Sequence, residues 1–297
     1  MPLRRQPYQR SSSPSPIRLT ARDKRILENI YAFDGLLSLR QIDRLFFTGK
    51  GRSQPRARMR MLFDNAYVNM PDPETIHQVP ISETIYWLDR KGAAVVAGLR
   101  GQSASRLKWR KQPRFSLIEH DLKVNDFRIA VRGGCRQRND VGLRTWIPES
   151  AFASQPDRVR FETSSGKTAT RAVRPDGYFL IDCKTRRDRV KPLSFLLEVD
   201  MSTEDNPRFA REKIRPGVAY LKSSQYAERF GQPYGRYLVV TTRRRRMLNM
   251  KAQAERHGGK SLFYFSTFDD IRSRTVLTEP VWLLAGHQEP RSIIPRQ

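Results

Sequence analysis

The chain predicts an α+β protein in two parts: a small helical unit closed by a hairpin, then a larger unit with a mixed sheet flanked by helices. Three observations predict it. Within the first hundred residues, apolar side chains recur at helical spacing in short runs separated by Gly and Pro. Beyond residue 117, runs rich in β-branched and aromatic residues alternate with helical stretches. At 297 residues and 38% hydrophobic content, the chain can bury two cores.

Charge limits the function classes. Lys and Arg total 56 against 30 Asp and Glu, a formal net charge of +26. An excess of that size repels itself unless counterions or a polyanion offset it. Neutralising phosphates releases condensed cations, so double-stranded DNA is the expected partner. Cys135 and Cys183 lie far apart without CxxC spacing, and the four His are scattered, so no zinc cluster or three-histidine site is expected. The longest apolar runs are far shorter than a membrane span. A cytoplasmic location follows as the simplest expectation. Residues 1–18 are basic and rich in Ser and Pro, which predicts a flexible arm.

The elements of the first unit (19–100) follow in order. Thr20 with Asp23 forms a capping box ahead of Ile26, Leu27, Ile30 and Tyr31, and Gly35 ends that helix. Ser38 with Gln41 opens a second helix bearing Leu39, Ile42, Leu45 and Phe46. After a turn at Gly49 and Gly51, Pro55 suits the first turn of a third helix that runs to about Tyr67. Its stripe is Met59, Leu62, Phe63 and Ala66. Arg56, Arg58 and Arg60 lie off that stripe, beside Arg52. Two extended pieces, HQVPI and TIYWLD, make a hairpin, and Asp89 caps a fourth helix. That order is a winged helix-turn-helix, whose third helix would enter the major groove. Residues 101–116 read as a basic linker, with Arg106, Lys108, Arg110 and Lys111 available to phosphates.

The second unit (117–286) opens with a helix from Leu117 to Val131, ended by Gly133-Gly134. Strand candidates follow at RTWIP, AVRPDGYFLI, LSFLLEV, GRYLVVTT and LFYFSTF. Helices are expected at about 207–224, with Pro216 kinking or splitting the first, and at 246–257. Residues 287–297 are a tail. Two of these strands deliver acids: Asp176 at the start of one segment, Glu198 and Asp200 at the end of the next. Alternation puts Glu198 and Asp200 on one face. Acids gathered there, in so cationic a protein, suggest a divalent metal meeting a phosphate. The alternative is structural: Asp176 capping an Asp-Gly turn and Glu198 paired with an arginine. The block Arg243, Arg244, Arg245 and Arg246 after GRYLVVTT suits bidentate capture of phosphate oxygens.

The succession EHDLKVNDF, WIPE, RPDGYFLI, FLLEVDMSTE, a Lys-bearing helix, RYLVVTT and FYFSTFDDI resembles the replication-relaxation family of bacterial plasmids and other mobile elements, over about residues 18–285. The second unit is similar to the restriction-endonuclease-like PD-(D/E)xK nucleases. The resemblance implies a DNA-binding protein acting in replication, relaxation, mobilisation or its regulation, with replication or mobilisation proteins as further partners. It also implies a nuclease-like domain, inactive or, in the alternative, a Mg²⁺-dependent endonuclease or nickase. In that fold an Asp and a Glu hold Mg²⁺, and a Lys two residues after the Glu orients water. Asp176 and Glu198 match the acids, but Asp200 stands where the Lys belongs. Lys213 is the best-placed substitute, ahead of Lys184. Glu119 could add a metal ligand, with His120 beside it to orient one.

Overall fold

The computed structural model describes residues 8–47, 53–78, 83–163, 165–184, 189–202 and 205–294. Chain contacts divide it into two units, Met1–Asp126 and Phe127–Gln297. Among the described residues no helix is long and apolar enough to cross a membrane.

The first unit contains helices α1 (Ala21–Ala32), α2 (Leu39–Phe46), α3 (Ser53–Asp64), α4 (Pro73–Gln78) and α5 (Arg90–Leu99). Strands β1 (Leu37–Ser38), β2 (Val68–Asn69) and β3 (Ile85–Leu88) form an antiparallel sheet in the order β1-β3-β2. Both capping boxes form: Thr20 with Asp23, Ser38 with Gln41. The hairpin differs from the sequence reading. Its outgoing strand is Val68–Asn69, paired to Leu88 and Trp87. His77 and Gln78 instead end α4, because Asp72 accepts from Thr75 N–H at 2.7 Å and Pro73 suits a first helical turn. The remainder of HQVPI, residues 79–81, lies outside the described residues, as do Gly49, Gly51 and Arg52.

Residues 8–18, part of the expected flexible arm, are held on α3 and its neighbours. Ser11 N–H donates to Asp64 at 2.9 Å, Asn65 to Ser15 O at 3.1 Å, and Arg58 to Arg18 O at 3.1 Å. Arg10 reaches Asp89 at 2.5 Å and its guanidinium stacks over Phe63. A basic segment is fixed here because this unit's carboxylates face it.

Helix α6 (Ile118–Arg136) starts in the first unit, where Ile118 and Leu122 pack with Leu36, Ile85 and Trp87, and ends in the second. It continues through Gly133-Gly134, which the sequence reading made its end. A Cβ on Gly133 would collide with Ser273 and one on Gly134 with Leu277. These glycines therefore serve a close approach of two segments, not a helix stop.

The second unit has a seven-stranded mixed sheet. Its strands are β4 (Val141–Pro148), β7 (Gly177–Lys184), β8 (Val190–Asp200), β9 (Arg236–Thr241), β10 (Phe263–Thr267), β11 (Trp282–Leu284) and β12 (Pro290–Arg291). The order is β12-β11-β10-β9-β8-β7-β4, with β8, β9 and β10 parallel. The expected single strand AVRPDGYFLI is divided. Thr168–Val173 is β6, which pairs with β5 (Asp157–Glu162) in a separate two-stranded ribbon. Pro175 lacks an N–H for a ladder, so the chain leaves one sheet and enters another there. Between β4 and β5 lies α7 (Glu149–Ser154).

The connection from β8 to β9 holds α8 (Asn206–Phe209), a π-helical turn Ala210–Ile214, α9 (Arg215–Leu221) and α10 (Ser224–Phe230). Pro216 sits in the first turn of α9, where its missing N–H cannot bond back four residues. The helical run is nevertheless continuous from residue 206 to 221: the pattern changes from π to α at Arg215, just before Pro216, and the run is not split there. Helix α11 (Arg244–Arg256) joins β9 to β10. One sheet face packs Leu196, Val239 and Phe265 against Phe209, Ile214, Tyr220, Met247 and Met250. The other stacks Phe179 between Trp146 and Phe195, with Phe127 of α6 and Trp282 in the same aromatic group.

Candidate functional site

The acids stand where β7 starts and β8 ends, beside the carboxyl end of β9. Asp176 precedes β7 and crosses to its neighbour: its N–H donates to Leu197 O at 2.9 Å, and its carboxylate accepts from Val199 N–H at 2.6 Å. It therefore closes the β7–β8 ladder. Glu198 and Asp200 share a face of β8, as alternation requires, opposite Val239 and Thr241 of β9. All three are buried, at 6%, 7% and 8% exposure. Acids two residues apart on a buried strand face repel unless each finds a partner.

Each does. Lys213 Nζ lies 2.6 Å from Glu198 Oε1. Lys213 belongs to the π-helical turn, and such turns re-aim side chains relative to a regular helix. Asp200 takes a fork from Arg246, Nε to Oδ2 at 3.0 Å and Nη2 to Oδ1 at 2.8 Å, and Thr241 Oγ1 donates to Oδ2 at 2.5 Å. Beside the site, Ser202 and Thr242 hydroxyls join at 2.6 Å. Tyr237, two residues back along β9 and opposite Leu196, is buried; burial, then the nearby Glu198 charge, pushes its phenol well up, so it stays neutral.

A metal fits this donor set poorly. Both Asp200 oxygens are taken by Arg246 and Thr241, one Glu198 oxygen faces an ammonium, and one Asp176 oxygen holds a backbone amide. Among the described residues no three His, Cys, Asp or Glu are grouped to hold a metal ion. Glu119 is exposed on the first turn of α6 and belongs to the first unit. His120 sits next to Asp121, Nδ1 to Oδ1 at 3.5 Å. Lys184 is exposed at the far end of β7.

The candidate DNA-binding cations divide into two kinds. Some are tied to carboxylates: Arg58 to Asp23 at 2.5 Å, Arg60 to Asp64 at 3.1 Å, Arg110 to Asp34 at 3.0 Å and Asp121 at 3.1 Å, and Arg246 to Asp200. Arg58 and Arg60, expected on the groove-facing side of α3, are thus tied to α1 and the N-terminal segment. Arg56, Arg106, Lys108, Lys111, Arg243, Arg244 and Arg245 are exposed and make no ion pair among the described residues. The arginine block is not a loop: Arg244 starts α11, with Arg243 as its N-cap. Cations at a helix N-terminus oppose the helix dipole, and a bound anion would reverse that penalty.

Sequence reasoning missed Thr241 as a partner of Asp200, and it grouped Arg246 with the phosphate ligands. The signal was present in the offset: an Asp in a lysine position needs a cation from elsewhere. Among known proteins, a family model described as replication-relaxation matches residues 28–232, most of the chain. No curated protein and no solved structure matches significantly.

Proposed function

This chain belongs to the replication-relaxation family, and from that membership we propose that it is a DNA-binding protein serving replication or relaxation of a plasmid or other mobile element. In this reading the first unit is a winged helix that docks on the duplex. The second is a nuclease-like domain whose acid cluster maintains structure and does not cleave. One observation carries the DNA reading: exposed cations without carboxylate partners, Arg56, Arg106, Lys108, Lys111 and Arg243 to Arg245, in a chain of net charge +26. Uncompensated cations of this number attract phosphates and release counterions on contact. For the acid cluster, the fork of Arg246 on Asp200 supports the structural role.

The test is fluorescence anisotropy on duplex DNA over a salt series. Each phosphate contact contributes a slope of about 0.9 in log affinity against log salt. Replacing Arg243, Arg244 and Arg245 by Ala should flatten that slope by about 2.7. Binding that ignores salt, or no binding, ends the reading. A second reading, metal-dependent nicking, has one observation in its favour: Lys213 supplies beside Glu198 the ammonium missing from position 200. Supercoiled plasmid incubated with Mg²⁺ separates the two. It stays intact if the cluster is structural, and becomes open-circular, dependent on Glu198, if it is catalytic.

A further inference from the structure

The ribbon β5–β6 stands apart from the seven-stranded sheet, and the two faces of the ribbon differ in kind. One presents Val159, Phe161 and Val173, all buried, and Val159 and Val173 join the cluster containing Tyr220 of α9. Such packing is required, since an isolated two-stranded hairpin is marginal in water. The opposite face carries Arg158, Arg160, Thr168 and Thr170. The register sets Arg158 across from Ala172 and Arg160 across from Thr170. Both arginines are exposed and make no ion pair among the described residues, and neither opposing residue is acidic. Glu162, at the end of the same face, is the single acid on it.

Two guanidinium groups two residues apart on one strand face sit about 7 Å from each other and repel. Solubility alone does not ask for that arrangement, because Lys and Glu in mixture serve it equally. A two-stranded ribbon is about 5 Å between strand axes, and the major groove of B-DNA, about 12 Å wide, admits one. Arginine forks match guanine O6 and N7, and threonine methyls match the thymine methyl.

We propose that the outer face of β5–β6 is a second DNA-contacting surface, laid into the major groove of duplex DNA with Arg158 and Arg160 at base edges or the flanking phosphates. This surface rests on the DNA-binding reading above and extends it to an element with no helix.

The test compares wild type, the double variant Arg158→Ala/Arg160→Ala and the double variant Arg158→Lys/Arg160→Lys on a mixed-sequence duplex. Both positions are exposed, so thermal unfolding should be unchanged in either variant. The alanine variant should lose about 1.8 from the salt slope, which is about thirtyfold in affinity at 0.15 M salt if binding at 1 M is equal. Duplex containing 7-deazaguanine, which lacks the N7 acceptor, should bind wild type more weakly than normal duplex, and the alanine variant should not distinguish the two, while the lysine variant should keep the wild-type salt slope. Wild type that binds duplex with a slope and affinity shared by the alanine variant overturns the ribbon and leaves the DNA reading intact. Wild type that binds no duplex overturns both. An unchanged response to 7-deazaguanine overturns the base-edge contact and leaves the two arginines on the flanking phosphates.

Discussion

Replacing Arg246 with Ala tests whether the acid cluster is a set of ion pairs. Asp200 has a side chain 7% exposed, and Arg246, itself 15% exposed, supplies two of the three hydrogen bonds seen at its oxygens. Removing one partner of a buried pair leaves a charge that Thr241 alone cannot stabilise, which costs about 3–5 kcal/mol. Arg246 keeps some contact with solvent, so water can enter behind it and the lower figure, about 3 kcal/mol, applies. With a urea m-value of about 2 kcal/mol/M, the unfolding midpoint should fall by about 1.5 M. Hydrogen exchange on peptides from β8 and α11 would assign the loss to the second unit. In the Arg246→Ala background, Asp200→Asn should recover more than half of it, because a neutral amide needs no cation. A midpoint shift below about 0.5 M, or no recovery with Asn, would refute the reasoning.

Two further expectations concern the first unit. Burial pushes the carboxyls of Asp23 and Asp121 up, but Arg58 and Thr20 around Asp23, and His120, Arg114 and Arg110 around Asp121, outweigh it and hold both below the usual carboxylate range. A depressed acid contributes stability above its unfolded pKa of about 3.9 and loses it as pH falls through the folded value. The first unit should therefore unfold in acid below about pH 4, and Arg58→Ala should raise that midpoint. Fluorescence of Trp87 and Trp109 reports it; a shared midpoint for the two proteins refutes the assignment. At Gly92, an added Cβ would run into the backbone carbonyl of Tyr67 and approach Leu88. Backbone cannot give way as a flexible side chain does, so Gly92→Ala should destabilise by about 1–3 kcal/mol in urea, and a neutral result would show that β2 can shift.

What the sequence made legible was local. Capping boxes are contained within four residues, and both form. Alternation fixes the shared face of Glu198 and Asp200 without reference to any neighbour. Lys213 follows from the positive charge missing at position 200, and it lies 2.6 Å from Glu198. The failures were tertiary. Gly133-Gly134 looks like a helix stop until Ser273 and Leu277 are seen against it. Arg58 looks like a free face until Asp23, on another helix, takes it. The strand HQVPI was favoured by composition, but Pro73 and Asp72 start a helix that reaches Gln78. The break of AVRPDGYFLI into two sheets was signalled by Pro175, whose missing N–H outweighs the β-propensity around it.

The position of Asp200 connects these points to function. In the nuclease-like pattern the residue two after the glutamate brings positive charge to the phosphate being attacked. Here that residue is anionic, and its field is cancelled at once by Arg246, the last of four consecutive arginines and part of the first turn of α11. Arg243, Arg244 and Arg245 remain exposed beyond it. The inward-facing member of the block therefore pairs with the acid at the end of β8, while the outward ones stay exposed to solvent. An acid in the lysine position thus helps to fix the orientation of a basic helix start, through the fork of Arg246 on Asp200. Arg246→Ala should weaken duplex binding along with stability, whereas Arg244→Ala should weaken binding alone, and this difference separates the inward arginine from the outward ones.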